Sequence, residues 1–126
     1  MIYGIGTDIV EIARIRRALE RWGDRFLNRV FTQEEIQYAL GRRDPAPHLA
    51  GRFAAKEAAA KALGTGIARG VAWRQIFVTR RRGQPPRINF SGRAAELLAD
   101  LGPGARAHLS ITHSRELAQA VVILEK

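Results

Sequence analysis

The segment that most constrains the fold is the alanine-rich stretch at residues 49–63, which ends just before Gly64. Alanine has the highest helix propensity, and glycine commonly follows the last residue of a helix. The pattern predicts a helix from Leu49 to Leu63 with Gly64 as its C-cap. Small side chains flank the charged residues of this helix, at Ala54, Ala55, Ala58 and Ala59. We therefore expect other elements to pack closely against much of its surface.

A strand and a helix are predicted at the start of the chain. The alternation of residues 1–8 predicts a short strand with Ile2, Gly4 and Gly6 on one face. Apolar residues then recur at spacings of three and four, which predicts one amphipathic helix along Ile12, Ile15, Leu19, Trp22 and Phe26.

The remaining elements follow from local signals. Thr32, with Glu35 three residues later, predicts a helix that begins with a capping box. Two prolines predict a loop from Arg42 to His48, and Ser91 is the predicted cap of a short helix that ends at Leu101. Four strands are predicted after the central helix, at Trp73–Thr79, Arg87–Phe90, His108–His113 and Leu117–Leu124.

This order of elements predicts an α+β fold in which a mostly antiparallel sheet packs against helices. The chain has 126 residues, which is the length of one domain, and it contains neither an internal repeat nor an interdomain linker. We expect a single domain over residues 1–126.

The charge of the chain points to an anionic partner. Twenty-one basic residues against 12 acidic ones give a net charge of +9, and 18 of the basic residues are arginines. The chain has no cysteine, which excludes disulfides, cysteine nucleophiles and cysteine-based zinc sites. No apolar run reaches the roughly 18 residues of a membrane span, and no signal-peptide layout is present. We expect a cytoplasmic protein.

Common nucleotide-binding, zinc-binding and hydrolase motifs are absent. Gly4 and Gly6 begin like a dinucleotide fingerprint, but the third glycine is replaced by Ile9, and there is no P-loop. His108 and His113 are five residues apart, so on one strand they point to opposite faces and do not form a zinc site. No nucleophile elbow supports a hydrolase triad.

Two acidic residues are candidates for chemistry, and each has a purely structural alternative. Asp8 stands where the first strand gives way to a helix, so it either caps that helix or binds a divalent cation. Glu57 either forms a surface pair with Lys61 four residues later or belongs to a site on a closely packed helix. Phe53, Glu57 and Lys61 share one helical face, from which Arg52 is turned by about 140°.

Four arginines form a stripe on the first helix, at Arg14, Arg17, Arg21 and Arg25. The stripe is either the solvated side of an amphipathic helix or a surface that docks an acidic helix or a phosphate backbone. Only Glu11 and Glu20 interrupt its positive charge. Because like charges at this spacing slightly destabilise a helix, we favour the docking surface.

Three stretches together resemble one family. They are Gly6-Thr7-Asp8-Ile9-Val10-Glu11-Ile12, Arg52-Phe53-Ala54-Ala55-Lys56-Glu57-Ala58-Ala59-Ala60-Lys61-Ala62 and His108-Leu109-Ser110-Ile111-Thr112-His113. In this order and chain length they resemble the holo-acyl carrier protein synthases, the small bacterial-type 4′-phosphopantetheinyl transferases. The resemblance covers essentially the whole chain.

The resemblance implies a Mg²⁺-dependent enzyme of fatty acid biosynthesis. Such an enzyme transfers 4′-phosphopantetheine from coenzyme A to a serine hydroxyl of apo-acyl carrier protein and releases adenosine 3′,5′-bisphosphate. Asp8 and Glu57 match the Mg²⁺ ligands of the family, and Lys61 matches a lysine near the transferred phosphate. These three residues form the catalytic set that the resemblance implies. Either Glu57 or a metal-bound water is the expected base for the serine proton.

The resemblance also implies contacts with the nucleotide. Arg52 matches an arginine that reaches the CoA 3′-phosphate from a neighbouring subunit. His113, with Ser110 and Thr112, matches a strand that lines the nucleotide pocket. The turn Gly83-Gln84-Pro85 stands where the family often has Gly-Lys-Pro, and Arg80 to Arg82 are candidates to replace the missing lysine.

For assembly and partners, the resemblance implies a homotrimer of the phosphopantetheinyl transferase fold, with sites at the subunit junctions. Arg14 and Arg21, with Arg25 nearby, would hold the acidic recognition helix of the carrier protein. No nucleic acid and no membrane is expected as a partner.

Two other classes of function compete with this one. The charge of +9 and the arginine stripe are compatible with a small basic nucleic-acid-binding module, although the chain lacks a known binding motif and aromatic residues between the basic ones. The other alternative is a carrier-binding protein that keeps the fold without catalysis. A mass-shift assay with apo-carrier protein and CoA distinguishes these functions.

Overall fold

The central element is helix α4 (Pro45–Leu63), and most other elements pack against it. A computed structural model describes residues 1–126. The order along the chain is β1 (Ile2–Glu11), α1 (Ile12–Trp22), α2 (Asp24–Val30), α3 (Gln33–Leu40), α4, a 3₁₀ turn (Trp73–Gln75), β2 (Ile76–Thr79), β3 (Arg87–Phe90), α5 (Gly92–Asp100), β4 (Arg106–His113) and β5 (Leu117–Glu125). The predicted α+β fold is confirmed.

Helix α4 is longer at its start than the sequence predicts. The loop expected from Arg42 to His48 is wrong, because the helix already begins at Pro45. The Asp44 side chain accepts a hydrogen bond from the Ala46 N–H at 3.3 Å and so caps the helix. Proline fits the first helical turn, where backbone N–H groups have no intrahelical acceptor. The predicted end at Gly64 is confirmed by its left-handed backbone, with φ of 86°.

A three-stranded antiparallel sheet in the order β1-β5-β4 covers one side of α4. Strand β1 extends to Glu11, beyond the predicted end at Asp8, because it stays paired with β5 as far as Leu117. Gly4 and Gly6 face the helix, as the alternation predicts, and at Gly6 a Cβ atom would lie only 1.7 Å from the Ala58 carbonyl oxygen. The strand therefore lies directly on the helix backbone.

Strands β2 and β3 form a separate two-stranded antiparallel sheet. The strand expected at Trp73–Thr79 is shorter than predicted, because residues 73–75 form the 3₁₀ turn. The closing hairpin of β4 and β5 is confirmed and extends by two residues at its first strand and one at its last. Ser91 precedes α5, but its side chain makes no capping hydrogen bond.

The predicted first helix is two helices. Gly23, with φ of 51°, breaks it between α1 and α2. Ile12 and Ile15 are buried as predicted, whereas Trp22 is 48% exposed and does not belong to the apolar stripe. The capping box at the start of α3 is confirmed, since the Glu35 N–H donates to Thr32 Oγ1 and the Thr32 N–H donates to Glu35 Oε1.

A fully buried ion pair joins α3 to α4. Lys56 Nζ donates to Glu35 Oε1 at 2.7 Å, and both side chains are 0% exposed. The same ammonium donates to the carbonyl oxygens of Trp73 and Ile76. The Val78 N–H donates to the other Glu35 oxygen at 2.9 Å. This network fixes the 3₁₀ turn and β2 against α4.

The outer face of the three-stranded sheet is uncovered. Tyr3, Ile5 and Ile9 of β1 are 46%, 63% and 58% exposed on this face. None of the helices combines the length and the apolar character needed to span a membrane.

Candidate active site

Asp8 and Lys61 meet where β1 crosses α4. Lys61 Nζ donates to Asp8 Oδ1 at 3.1 Å and to the Thr7 carbonyl oxygen at 3.0 Å. The Asp8 side chain is 18% exposed, and that of Lys61 is 51% exposed. Gly4 and Gly6 allow this contact, because side chains at these positions would hold the strand away from the helix.

This geometry removes both structural alternatives for the acidic residues. Asp8 does not cap α1, because β1 continues to Glu11 and the helix begins at Ile12 without a side-chain cap. Glu57 does not form an ion pair with Lys61, whose ammonium is instead bound to Asp8.

Glu57 lies half-buried beside this pair. Burial raises the pKa of the Glu57 carboxyl above its ordinary value, and the negative charge of Asp8 raises it further. The positive charges of Lys61 and Arg14 act in the opposite direction. Two carboxylates that repel each other in a partly buried place form a ready site for a cation.

The donor set fits Mg²⁺. Asp8 and Glu57 supply two carboxylates, and no group of three or more acidic, histidine or cysteine side chains is present that could enclose a metal. Mg²⁺ in phosphate-binding enzymes is held by one or two carboxylates, while waters and substrate phosphates complete its shell. The two carboxylates are thus sufficient for a shared protein–substrate site.

A shallow groove of about 660 Å³ opens beside Glu57. Arg29, Trp73 and Arg74 line it, and the Trp73 ring stacks on that of Phe53 at a centroid distance of 4.8 Å. Sequence reasoning missed these groove residues. The only available signal was that Arg29 continues the four-residue spacing of Arg21 and Arg25, whereas nothing local marks the other groove residues.

Arg52 lies on another side of α4, as the helical spacing predicts. It is only 5% exposed, and its guanidinium carbon lies 4.0 Å from the centroid of the Tyr38 ring. The His48 ring lies between Tyr38 and His113, at centroid distances of 5.9 and 6.3 Å. Arg52 and His113, two of the expected nucleotide contacts, therefore belong to one cluster.

Burial lowers the pKa of the His48 imidazole, and the nearby positive charges of Arg52 and Arg42 lower it further. Burial is also the main cause of a lowered pKa of the Arg52 guanidinium. The cluster is thus electropositive, and the two carboxylates that act on it, Asp44 and Glu35, are already bound by Arg16 and Lys56.

Ser110 and Thr112 do not join this cluster. They alternate with Ile111 and His113 along β4, so their side chains lie on the outer face of the sheet. Ile111 and His113 face α4, where Ile111 lies close to Gly51. Side chains on opposite faces of one strand do not reach the same ligand within one chain.

The predicted turn at Gly83-Gln84-Pro85 connects β2 to β3 and is exposed. Gln84 and Pro85 line a polar cavity of about 540 Å³ together with Arg80, Arg81 and Arg87. The larger cavity of about 1040 Å³ between α5 and strands β3 and β4 is lined by none of the residues Asp8, Glu57 and Lys61. Size alone therefore does not identify the site.

The arginine stripe is exposed on α1 and α2, and its first member lies near the carboxylates. Arg14 is near enough to Glu57 to affect its pKa. The guanidinium carbons of Arg21 and Arg25 lie 4.9 and 5.7 Å from the centroid of the exposed Trp22 ring. The surface offers both positive charge and an aromatic side chain.

Residues 4–121 match the 4′-phosphopantetheinyl transferase superfamily. The chain belongs to this superfamily. The match includes Asp8, Arg52, Glu57, Lys61 and His113. The family membership that the sequence motifs indicate is confirmed.

Known members of this superfamily are similar along the whole chain. A holo-[acyl-carrier-protein] synthase of Koribacter versatilis is 49% identical over 99% of this chain and 99% of that protein. The crystal structure of holo-[acyl-carrier-protein] synthase from Neisseria meningitidis is 39% identical, covers 100% of both chains and has a TM-score of 0.87. A holo-(acyl-carrier-protein) synthase from Bacillus anthracis, in complex with CoA (3′,5′-ADP), is 39% identical, with a TM-score of 0.82 over 100% of this chain and 98% of that one.

Proposed function

We propose that this chain is a holo-acyl carrier protein synthase. It transfers 4′-phosphopantetheine from coenzyme A to a serine hydroxyl of apo-acyl carrier protein, in fatty acid biosynthesis in the cytoplasm. The meeting of Asp8, Glu57 and Lys61 between β1 and α4 carries the proposal, because it brings together two carboxylates and an ammonium for a diphosphate substrate. Full-length similarity to holo-acyl carrier protein synthases supports it.

Asp8 and Glu57 would hold a Mg²⁺ ion. When bound, this ion neutralises charge on the diphosphate and on the leaving group. The raised pKa of Glu57 supports the assignment, since both of its causes, burial and then the negative charge of Asp8, are compensated by a cation.

The transfer needs positioning and one proton acceptor. The serine oxygen forms a bond to the phosphorus that carries pantetheine, and the bond from that phosphorus to the bridging oxygen breaks, which releases adenosine 3′,5′-bisphosphate. Glu57, directly or through one water, accepts the serine proton, since burial raises the pKa of its carboxyl above the ordinary value. Lys61 holds Asp8 and supplies positive charge for the transferred phosphate.

The nucleotide contacts are proposed at three places. Arg52 and His113 face one electropositive cluster. Gln84 replaces a lysine in the turn that Gly83 and Pro85 complete, and the arginines that share its cavity supply the missing charge. Ser110 and Thr112 would contact the nucleotide from the outer face of β4.

We propose a homotrimer whose sites lie at subunit junctions. Arg52 and Glu57 lie on different sides of α4, so a CoA molecule that contacts both would bridge two chains. The exposed apolar side chains on the outer face of the sheet support self-association. Mixing an Arg52→Ala variant with a Glu57→Gln variant during refolding should therefore restore sites with the unaltered KM for CoA at a minority of junctions. Glu57→Gln alone should stay inactive, and Arg52→Ala alone should transfer only with a raised KM for CoA.

Arg14, Arg21 and Arg25 are proposed to dock the carrier protein. They are exposed, Arg14 lies near Glu57, and Trp22 adds an exposed aromatic ring that Arg21 and Arg25 contact. Because positive surface charge accelerates encounter with acidic partners, this surface would bring the substrate serine to Glu57.

The test is incubation with apo-carrier protein, CoA and Mg²⁺, followed by mass spectrometry of the carrier. A gain of about 340 Da, the mass of the transferred group, is expected. Asp8→Asn and Glu57→Gln should abolish the gain, and Glu96→Gln, the same change at an exposed surface pair, should not. No gain with the unaltered protein, or a near-normal rate with Glu57→Gln, contradicts the proposal.

A further inference from the structure

Arg52 is buried without a carboxylate partner. Only 5% of the residue is exposed, and its Nε atom has no hydrogen-bond acceptor. Its hydrogen bond to the main chain is a long one, from Nη1 to the His48 carbonyl oxygen at 3.5 Å, and a hydrogen bond with the Tyr38 side chain also acts on its pKa. Burying a guanidinium in this way is unfavourable unless another group compensates its charge.

The nearby carboxylates are already engaged elsewhere. Glu35 is bound by Lys56, and Asp44 accepts two hydrogen bonds from Arg16 at 2.9 and 3.0 Å. The other charged or titratable groups that act on Arg52 and its neighbour His48 are Arg42, Arg80, His113 and Tyr38. No free carboxylate among these groups is therefore left for Arg52, and its unpaired N–H can bind an anion from outside the chain.

The guanidinium of Arg52 lies against the aromatic ring of Tyr38. The Arg52 guanidinium carbon lies 4.0 Å from the centroid of the Tyr38 ring, which is within the range of a cation–π contact. The same ring also carries the Arg42 guanidinium, at 4.4 Å. Tyr38 belongs to α3 and Arg52 to α4, so the contact fixes the arginine relative to two helices.

We propose that Tyr38 is a positioning residue for Arg52. Its ring holds the guanidinium in the orientation that binds the 3′-phosphate of CoA, and so it determines the preference of the enzyme for CoA over 3′-dephospho-CoA. The inference rests on the proposed function for its substrate. Tyr38 acts through Arg52 and does not itself contact the reacting atoms.

The experiment compares kcat and KM for CoA and 3′-dephospho-CoA in Tyr38→Phe and Tyr38→Leu. A cation–π contact away from water corresponds to a factor of about ten or more, so Tyr38→Leu should raise KM for CoA about tenfold. Its KM for 3′-dephospho-CoA and its kcat should change less than about twofold. Tyr38→Phe keeps the ring and should retain the preference.

Arg52→Ala provides the reference, because it should remove the preference altogether. Adding Tyr38→Leu to Arg52→Ala should then have no further effect on KM for CoA, as expected for two residues that act as a unit. Tyr38→Gln, which suits a half-exposed helical position, replaces Tyr38→Leu if the latter does not fold.

Three results would overturn the inference. They are an equal rise of KM for both substrates, a loss of preference in Tyr38→Phe as large as in Tyr38→Leu, and additive effects in the double variant. If the unaltered protein transfers nothing, the proposed function fails. Calorimetric binding of CoA and 3′-dephospho-CoA to the same variants then still decides whether Tyr38 controls the affinity for the 3′-phosphate.

Discussion

Replacing Gly6 by alanine should separate the two halves of the site. The added Cβ would lie 1.7 Å from the Ala58 carbonyl oxygen, 2.7 Å from its carbon and 2.9 Å from the Ala62 nitrogen. All three atoms belong to the backbone of α4, which is buried at the centre of the fold and has no rotamer to change. The strand must therefore move instead of the helix.

The size of this movement follows from the contact distance. An ordinary contact of about 3.5 Å requires β1 to shift by roughly 1.8 Å at Gly6. Asp8 is two residues further on the same face and moves with the strand, so its 3.1 Å contact with Lys61 opens beyond hydrogen-bonding distance. A misplacement of about 1 Å in an active site costs about 100-fold in rate. Overpacking also costs about 3 kcal/mol of stability, or about 10 °C in Tm.

Three measurements test this prediction together: the rate of mass gain of the carrier, Tm, and the rise of Tm on adding Mg²⁺. Gly41→Ala is the matched control, because Gly41 has an ordinary φ of −75° and its Cβ would lie 3.3 Å from the nearest atom. We expect near-normal behaviour for this control. A folded Gly6→Ala protein with a normal rate and a normal Mg²⁺ response would refute the reasoning.

Three further predictions concern the charges. Because the pKa of Glu57 is raised in the folded state, the contribution of this carboxyl to stability falls as the pH rises through the range above its ordinary pKa. Glu57→Gln should therefore raise Tm at pH 7 without metal and remove the rise of Tm on adding Mg²⁺. A lower Tm of this variant without metal would contradict the prediction. Lys56→Met leaves Glu35 buried and unpaired and should reduce the free energy of unfolding by about 3–5 kcal/mol in denaturant titrations. Adding Glu35→Gln should recover part of this loss. An additive effect of the two changes would show that Lys56 and Glu35 do not interact. Charge reversal at Arg14 and Arg21 should raise KM for the carrier protein at least tenfold and leave KM for CoA unchanged, whereas equal changes in both would show that the stripe is not a docking surface.

Local signals in the sequence were sufficient for most helices and strands. The capping box of Thr32 and Glu35 marks the start of α3, and Gly64 marks the end of α4. The errors also have local causes. Prolines between Arg42 and His48 suggested a loop, although proline is equally suited to the first turn of a helix that Asp44 caps.

The buried ion pair could not be predicted, since its partners are distant in sequence. Glu35 is recognisable as a member of the capping box, but its carboxylate also accepts from Lys56, 21 residues later, and from the Val78 N–H. Lys56 stands among alanines beside Glu57, and the sequence does not say which of the two charged residues is buried. Only the packing of α3, α4 and β2 decides that Lys56 faces inward.

That Asp8, Glu57 and Lys61 belong to one site was expected only through the family resemblance, although a local signal for the close approach of β1 to α4 exists. Gly4 and Gly6 alternate on one face of β1, and the small residues Ala58 and Ala62 follow each other by one turn on α4. Complementary small residues on a strand and a helix predict a close approach. A nucleotide-binding fingerprint is only one of the reasons for glycine to alternate in a strand, and close approach of another backbone is a second.

The distribution of the 18 arginines relates the composition to the proposed substrates. Three of them pair with carboxylates, in the contacts Arg16–Asp44, Arg93–Glu96 and Arg106–Glu125. At the surfaces proposed to bind the substrates the arginines instead lack such partners. The stripe on α1 and α2, the groove beside Glu57, and the hairpin turn all carry arginines without an ion pair within 4 Å. The one ion pair among the catalytic residues uses Lys61 and satisfies Asp8, which leaves these arginines free. Unneutralised positive charge is unfavourable for the isolated protein, so its concentration at these surfaces is explained by partners that bring several negative charges, as CoA and an acidic carrier protein both do.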